Sequence, residues 1–339
     1  MKIIKQYFDL FDKKLPIAPA SIQINLLNAC FQKCIGCNKP NWPNIELSPF
    51  KVIEILDWMN LKFGESVVFS GGDPLAYQHL DKIFSHIGGL KAGILTSGLW
   101  GKDCPIDTVI EYSSHIKFSI DGASREVYKQ ARGVDTLDRV KENVKIIKKS
   151  AQKLNPNLQL RCDSTISKFN YHEMTEILEL CDELGLEAYF FPIHTWKDLQ
   201  LDLVTLAQIA AEVERAMKSP SYKNVKNNLS NFISMQLRSK PPICIIPYVH
   251  FFCDVDGKLF ICCRAANDNG KYEDRDMTAV IGNIYEQKID DIWNSCYAQI
   301  VRNNFYEVTA EYCKFCDRYN KVNQDFYDTA HCQTHQIFL

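Results

Sequence analysis

The sequence predicts an α/β protein: a partial (β/α)6 barrel followed by a small cysteine-rich domain. Three observations carry this reading. From Ser21 to about Pro192 short apolar runs alternate with amphipathic stretches, the pattern of parallel strands joined by helical crossovers. The repeat occurs six times, short of the eight of a closed barrel, so an open partial barrel is the first choice and an open doubly wound sheet the second. After Pro241-Pro242 the character changes and cysteines become dense.

In chain order, residues 1–20 mix charge with apolar residues at helical spacing and read as an N-terminal helix. Strands are expected at 21–27, 66–70, 92–97, 116–120, 158–166 and 187–193. Helical patterns lie between them, at 48–63 with Ser48 as N-cap, at 135–154, and at 171–185 with Gly185 as C-cap. Domain boundaries follow: the barrel over 21–200, a polar helical connector over 201–240, the cysteine-rich domain over 241–325 and a tail over 326–339. Within the second domain, residues 250–263 read as a hairpin turning at Asp256-Gly257.

Composition excludes several classes. The chain has 339 residues, 46% hydrophobic and 24% charged, with a formal net charge of -2, so it is globular without the basic excess of a nucleic-acid binder. No apolar run reaches the ~18 residues of a membrane span. The N-terminus lacks the apolar core and cleavage site of a secretory signal, and the expected location is the cytoplasm. Fourteen cysteines without such a signal favour metal or cluster binding over disulfides.

Cys30, Cys34 and Cys37 follow the first strand in the spacing C-x3-C-x2-C. Three thiolates leave one iron of a [4Fe–4S] cube without a protein ligand, and an open metal position can bind and activate a molecule. A zinc site would want a fourth ligand nearby, and the next cysteine is Cys104. The loop lies where strands of parallel α/β folds build their sites.

This placement resembles the radical S-adenosylmethionine (SAM) superfamily. The resemblance implies that the open iron binds the amino and carboxylate groups of SAM. It further implies reductive cleavage to a 5′-deoxyadenosyl radical, which removes a substrate hydrogen. The residue before the third cysteine is usually aromatic and packs near the adenine; here it is Gly36. Ser70-Gly71-Gly72-Asp73-Pro74, after the second strand, is similar to the family's GGE-P motif. Independently of the family, two glycines allow close backbone approach, and carbonyls with Asp73 can accept from an ammonium group. Thr96 and Ser97 end the third strand, and Ser119 and Asp121 the fourth, in positions resembling those that line the cofactor. On the fifth strand Arg161, Asp163 and Ser164 are candidates for cofactor or substrate contact, and His194 and Thr195 end the sixth.

The second cysteine group resembles the C-terminal auxiliary-cluster extensions of the superfamily, in the shorter twitch rather than the longer SPASM form. It implies Cys244, Cys262, Cys313 and Cys316 as four ligands of one auxiliary cluster, a [4Fe–4S]; a four-cysteine zinc site is the alternative. Cys263 competes with Cys262 for the ligand role. Cys253 and Cys263 are spare thiols that could donate a hydrogen atom to a carbon radical, and small buried residues are the plainer reading. Cys104, Cys162, Cys181 and Cys296 read as core or surface thiols, and Cys332 with His331 and His335 as tail.

Two reactions compete. One is modification of a ribosomally made peptide by crosslinking, epimerisation or excision, in natural-product biosynthesis. The other is oxidation, epimerisation or deoxygenation of a small polar metabolite such as an aminosugar or aminocyclitol. The resemblance implies an external electron donor such as flavodoxin or ferredoxin, and the first reaction admits a separate peptide-recognition protein. A non-enzymatic cluster or zinc scaffold would leave the strand-end motifs unexplained.

Overall fold

The computed structural model describes residues 19–37, 42–193, 196–218, 222, 244–267 and 277–306. Six parallel strands form its first part: β1 Ser21–Leu27, β2 Ser66–Gly71, β3 Lys91–Thr96, β4 Ser113–Ser119, β5 Gln159–Ile166 and β6 Glu187–Pro192. Each lies within a few residues of its expected position. The crossovers are α1 Pro49–Leu61, α2 Leu80–Phe84, α3 Ile106–Tyr112, α4 Arg125–Arg132 with α5 Leu137–Leu154, and α6 Met174–Leu184. Gly185 ends α6 at φ 70°, the left-handed C-terminal position that glycine adopts without a side-chain clash. Ser48 holds the N-cap position of α1, but its side chain makes no capping bond; Pro49 at the first helical position fixes the start instead.

Beyond the barrel come α7 Leu203–Met217, α8 Ile246–Val249, β7 His250–Cys253, β8 Lys258–Phe260, α9 Cys263–Asn267, β9 Val280–Asn283, α10 Ile289–Asn294 and α11 Cys296–Tyr306. The hairpin turns through Gly257 at φ 79°. The calls on residues 1–18, and those on Cys313, Cys316 and the tail, lie outside the described residues.

All nine described strands form one sheet in the order β6-β5-β4-β3-β2-β1-β7-β8-β9. The sheet is open rather than a closed barrel. Strand β7 pairs parallel to β1, with Ser21 opposite His250 and Ile24 opposite Cys253, and only the β7–β8 and β8–β9 pairings are antiparallel, so β8 alone is reversed. The cysteine-rich segment therefore extends the same sheet.

The two faces of the sheet differ. Ile24, Phe69, Ile94 and Phe118 belong to the buried apolar core, with Phe69 against Phe84 of α2. Under β1 and β7 the same layer is aromatic: Trp58 of α1, Phe251 of β7 and Trp293 of α10 lie with ring centroids 5.3–6.3 Å apart. Trp58 Nε1 donates to Asp290 at 2.8 Å and Lys62 pairs with the same carboxylate. The opposite face is polar. Gln23 Nε2 donates to Ser70 Oγ, Ser70 Oγ to Asn25 Oδ1, and Asn25 Nδ2 to Asp254 Oδ1, at 2.9, 2.6 and 2.9 Å. The chain of donors crosses β2, β1 and the end of β7, and polarises in one direction.

Asn25→Ala breaks that chain and removes one hydrogen-bond partner from each of the buried Asp254 and Ser70. The expected cost is about 2 kcal/mol, read as a lower midpoint in thermal or denaturant unfolding; an unchanged midpoint would show the chain to be dispensable.

Candidate functional site

The cysteine loop leaves β1 at its C-terminal end and is held from two sides. On one side it meets the loop after β2. Gly72 N donates to Leu27 O at 2.6 Å and Asp73 N to Ala29 O at 2.9 Å. A Cβ at Gly72 would lie 2.1 Å from Ala29 O, and one at Gly71, where φ is 135°, 2.4 Å from Leu27 O. The two glycines are thus required by the fit of one loop on the other.

On the other side the loop is strapped to the end of α4. Lys33 N donates to Arg132 O at 3.1 Å and Ile35 N to Ala131 O at 3.0 Å. Gly133, at φ 72°, caps the helix where a Cβ would lie 2.0 Å from Lys33 O. Arg132 Nε donates to Gln32 Oε1 and its Nη1 to Asp121 Oδ2, both at 2.7 Å, while Gln32 Nε2 donates to Tyr128 Oη at 2.6 Å. Gln32 N in turn points at Cys30 Sγ, 3.4 Å away.

Cys30 reaches solvent, yet the protein around its sulfur, and Asp73 behind it, push the thiol up to about 12. Burial also pushes Cys34 up, against the opposing Arg132 cation. Among the described residues no three His, Cys, Asp or Glu side chains converge on a single-ion site. A cubane takes each thiolate at a separate iron, so its donors need not converge on one point. The glycine contacts hold that loop in place.

The strand-end residues surround this loop, but most of their polar atoms are engaged within the protein. Asp73 is fully buried. Its Oδ1 accepts from Leu75 N at 3.1 Å and Thr96 Oγ1 at 2.8 Å, and its Oδ2 from Ser97 N at 2.9 Å and from Ser97 Oγ. Burial raises its carboxyl above the ordinary range although all four bonds act the other way. Pro74 starts the short 3₁₀ turn after it. Asp121 accepts from Thr165 N and Arg132, and Ser119 stands half-buried at the end of β4. A Cβ at Gly36 would lie 2.7 Å from Ile193 Cδ1, the end of a side chain just past β6, which stands beside the third cysteine.

Strand register settles which way β5 faces. Cys162 packs with Cys181 of α6, so Arg161, Asp163 and Thr165 point to the opposite, inner face. Lys117, Arg161 and Glu187 stand side by side there, and Ser119, Asp163 and Tyr189 form the next rung toward the strand ends. Arg161 forks onto Asp163, with Nη2 at 2.8 Å from Oδ2, and stacks over Tyr189 at 4.0 Å. One level below lies His115, 4% exposed, over Gly93, where a Cβ would meet its ring at 2.1 Å. Its Nδ1 is 3.0 Å from Ser114 Oγ and its Nε2 has no partner. Burial, with Lys117 and Arg161 nearby, lowers it from 6.5 to about 2.

Cys253 is fully buried on the helix-facing side with Phe251, on the face opposite Asn25 and Asp254. Cys244 and Cys262 are half-buried, and Cys263 opens α9. His194 and Thr195 lie outside the described residues. Sequence reading missed Gln32, Arg132, His115, Lys117, Glu187 and Tyr189. A last-turn Arg before a helix-ending Gly was a usable signal for Arg132. Charges two apart in strands expected to be buried on both faces were one for the inner face.

Residues 24–155 match the family model of the Radical SAM superfamily, and residues 244–317 that of an iron–sulfur cluster-binding domain, SPASM. Curated relatives include an AdoMet-dependent heme synthase of Methanosarcina barkeri, 25% identical over 199 residues, 56% of this chain and 55% of that protein. A probable GTP 3′,8-cyclase of Saccharolobus solfataricus is 26% identical over 180 residues, 51% of this chain and 56% of that protein. The match spans about half the length of these relatives. Among solved structures, Streptococcus suis SuiB bound to its precursor peptide SuiA aligns with TM-score 0.69 at 16% identity, over 94% of this chain and 75% of that one. The anSMEcpe structure with bound AdoMet and Cp18Cys peptide aligns with TM-score 0.62 at 15% identity, over 90% and 88%. These likenesses show the fold. The paired domains bring a [4Fe–4S] cluster with SAM and an auxiliary iron–sulfur cluster. No helix among the described residues is long and apolar enough to cross a membrane.

Two outcomes are expected. Gly133→Ala should loosen the cysteine loop and lower iron content and ~400 nm absorbance after reconstitution, with the auxiliary cluster retained; full iron content would count against the strap. Neutral His115 contributes stability in full above about 6.5, which is lost as pH falls toward 2. His115→Gln should therefore flatten the stability loss between pH 6.5 and 5 by about 2 kcal/mol, measured by denaturant unfolding at both pH values.

Proposed function

We propose that this chain, with its radical SAM domain and its auxiliary-cluster domain, abstracts a hydrogen atom from a polar residue of a ribosomally made peptide, leading to a crosslink, an epimer or an excision. Cys30, Cys34 and Cys37 would hold a cluster that, given SAM and one electron from an external donor, would yield methionine and the 5′-deoxyadenosyl radical that takes the hydrogen.

The chain's own residues divide the work by height on the sheet. At the strand ends the backbone of Gly71-Gly72 and the hydroxyls of Thr96, Ser97 and Ser119 line the cofactor side. Asp73 acts there by pinning the loop after β2 to the end of β3, and Asp121 by holding Arg132 against the cysteine loop. Beside Ser119, Asp163 and Tyr189 face the interior of the open barrel, and one rung deeper so do Lys117, Arg161 and Glu187.

That polar inner face is the observation that carries the reading. A closed barrel fills its interior with branched apolar side chains. Here half-buried and buried charged groups occupy it, which suits a chamber that receives a polar group rather than a packed core. The open sheet leaves access for a chain rather than only for a small molecule. Two solved structures of similar fold, described as peptide complexes, fit this use. The same charged rung also suits a small polar metabolite such as an aminosugar or aminocyclitol, the second reading.

Cys30→Ala should abolish reductive cleavage of SAM to 5′-deoxyadenosine under dithionite, and persistent cleavage would refute the cluster assignment. A deuterated synthetic precursor peptide, encoded beside the gene, should pass deuterium to 5′-deoxyadenosine. Transfer from a deuterated aminosugar and none from the peptide would move the assignment to the second reading.

A further inference from the structure

His115 belongs to β4, yet its ring lies over β3. A Cβ at Gly93, its partner on that strand, would lie 2.1 Å from both Cε1 and Nε2. The glycine makes room for the ring, and the far edge of the ring carries Nε2 to the middle of the inner face. The residue is 4% exposed, and Nε2 has no partner among the described residues.

The other ring nitrogen fixes what Nε2 can do. Ser114 Oγ donates to Ala92 O at 2.8 Å and lies 3.0 Å from His115 Nδ1. A carbonyl can only accept, so the single hydroxyl proton goes to Ala92 O. Nδ1 therefore carries the ring proton and donates it to Ser114 Oγ. In a neutral imidazole this tautomer leaves Nε2 as a bare acceptor. A buried acceptor of this kind calls for a donor.

The surroundings restrict which donor it takes. Along the rung Nε2 meets Gly93 and then Val68, neither of which offers a side-chain donor. A water held there would lack the further polar partners that buried waters have on that rung. One rung nearer the strand ends stand Leu95, Lys117, Arg161 and Glu187. Leu95, Arg161 and Glu187 are only half-buried, so the inner face opens on that side of the ring. Lys117 and Arg161 act against a positive charge on His115, and they act in the same sense against a ligand ammonium. The fitting donor is uncharged, and small enough to reach a ring that is nearly covered.

We propose that His115 Nε2 accepts a hydrogen bond from a hydroxyl of the substrate and so selects hydroxyl-bearing substrates over their deoxy counterparts. The proposal rests on the reading of the inner face as the substrate chamber and sharpens it. On a peptide the group is a Ser or Thr side chain; on a small metabolite it is a hydroxyl and not the amine. Gly93 is part of the same device, since a side chain there would displace the ring.

The test uses the full-length, reconstituted enzyme with SAM and no reductant. Dissociation constants are measured by fluorescence anisotropy for the labelled precursor peptide encoded beside the gene, and for the same peptide with its Ser and Thr residues changed to Ala. His115→Met removes the acceptor at similar length and should weaken the native peptide about tenfold, while His115→Gln, which keeps an acceptor oxygen, should recover most of that loss. The Ala peptide should bind wild type about tenfold more weakly, and His115→Met should add nothing to that loss, as for two partners of one bond. Equal affinity of wild type and His115→Met for the native peptide, or losses that simply add, overturns the proposal and leaves Nε2 to a water. The ratio of the two peptides on wild type needs no variant, so a ratio near one overturns it even where His115→Met fails to fold. Absence of binding by either peptide overturns the peptide reading instead. The same comparison is then made by calorimetry with an aminocyclitol and its deoxy analogue, where equal affinities overturn the hydroxyl proposal.

Discussion

Strand β1 is parallel-paired on both edges, and the rest of the molecule depends on that position. On one edge β2 brings the Gly-Gly loop against the residues that lead into the cysteines; on the other β7 begins the extension that carries the second cysteine group. A parallel strand of this kind has no free hydrogen-bonding edge and must be covered on its helix-facing side, which α1 and α10 supply through Trp58 and Trp293. The loop that carries Cys30, Cys34 and Cys37 is therefore anchored to a strand paired on both edges. Its position follows from backbone pairing, so the flexible cysteine side chains need only small adjustments.

The two faces of the sheet divide stability from chemistry. The helix-facing side carries Ile24, Phe69 and Phe118 in an apolar core with little tolerance for change. The inner side carries donors and acceptors at almost every level: Gln23 and Asn25, His115 and Lys117, Arg161 and Glu187. Because burial raises the cost of an unmatched charge, these groups are arranged as pairs and chains, Arg161 with Asp163 and Asn25 with Asp254. Such a face is expensive to form, because each buried polar group must find a partner.

Much of this was legible in the chain. The six strands stood out as apolar runs because parallel strands bury both neighbours along their length, and C-x3-C-x2-C was legible because cluster ligands on one loop are close in sequence. The hairpin at Gly257 was legible from its turn residues, but its partner was not. Nothing local in HFFC says that it lies beside SIQI, and that pairing decides which way Cys253 points. The Gln32–Arg132 bond joins residues 100 positions apart, so it needed three-dimensional placement. Asp73 was legible as a candidate but not as a pin between two strands, since its partners Thr96 and Ser97 come from the next strand.

The pairing of Ser21 with His250 joins residues 229 positions apart. At ~5–20 residues per second, roughly 10–50 seconds of synthesis separate the appearance of β1 from that of the strand that covers its outer edge. During that interval the edge of β1 that β7 will cover presents unpaired backbone N–H and C=O groups. Cys30, Cys34 and Cys37 are synthesised well before Cys244 and Cys262, and the outer edge of β1 is paired only when β7 arrives. Order of assembly, as well as final geometry, is thus written into the place of one strand.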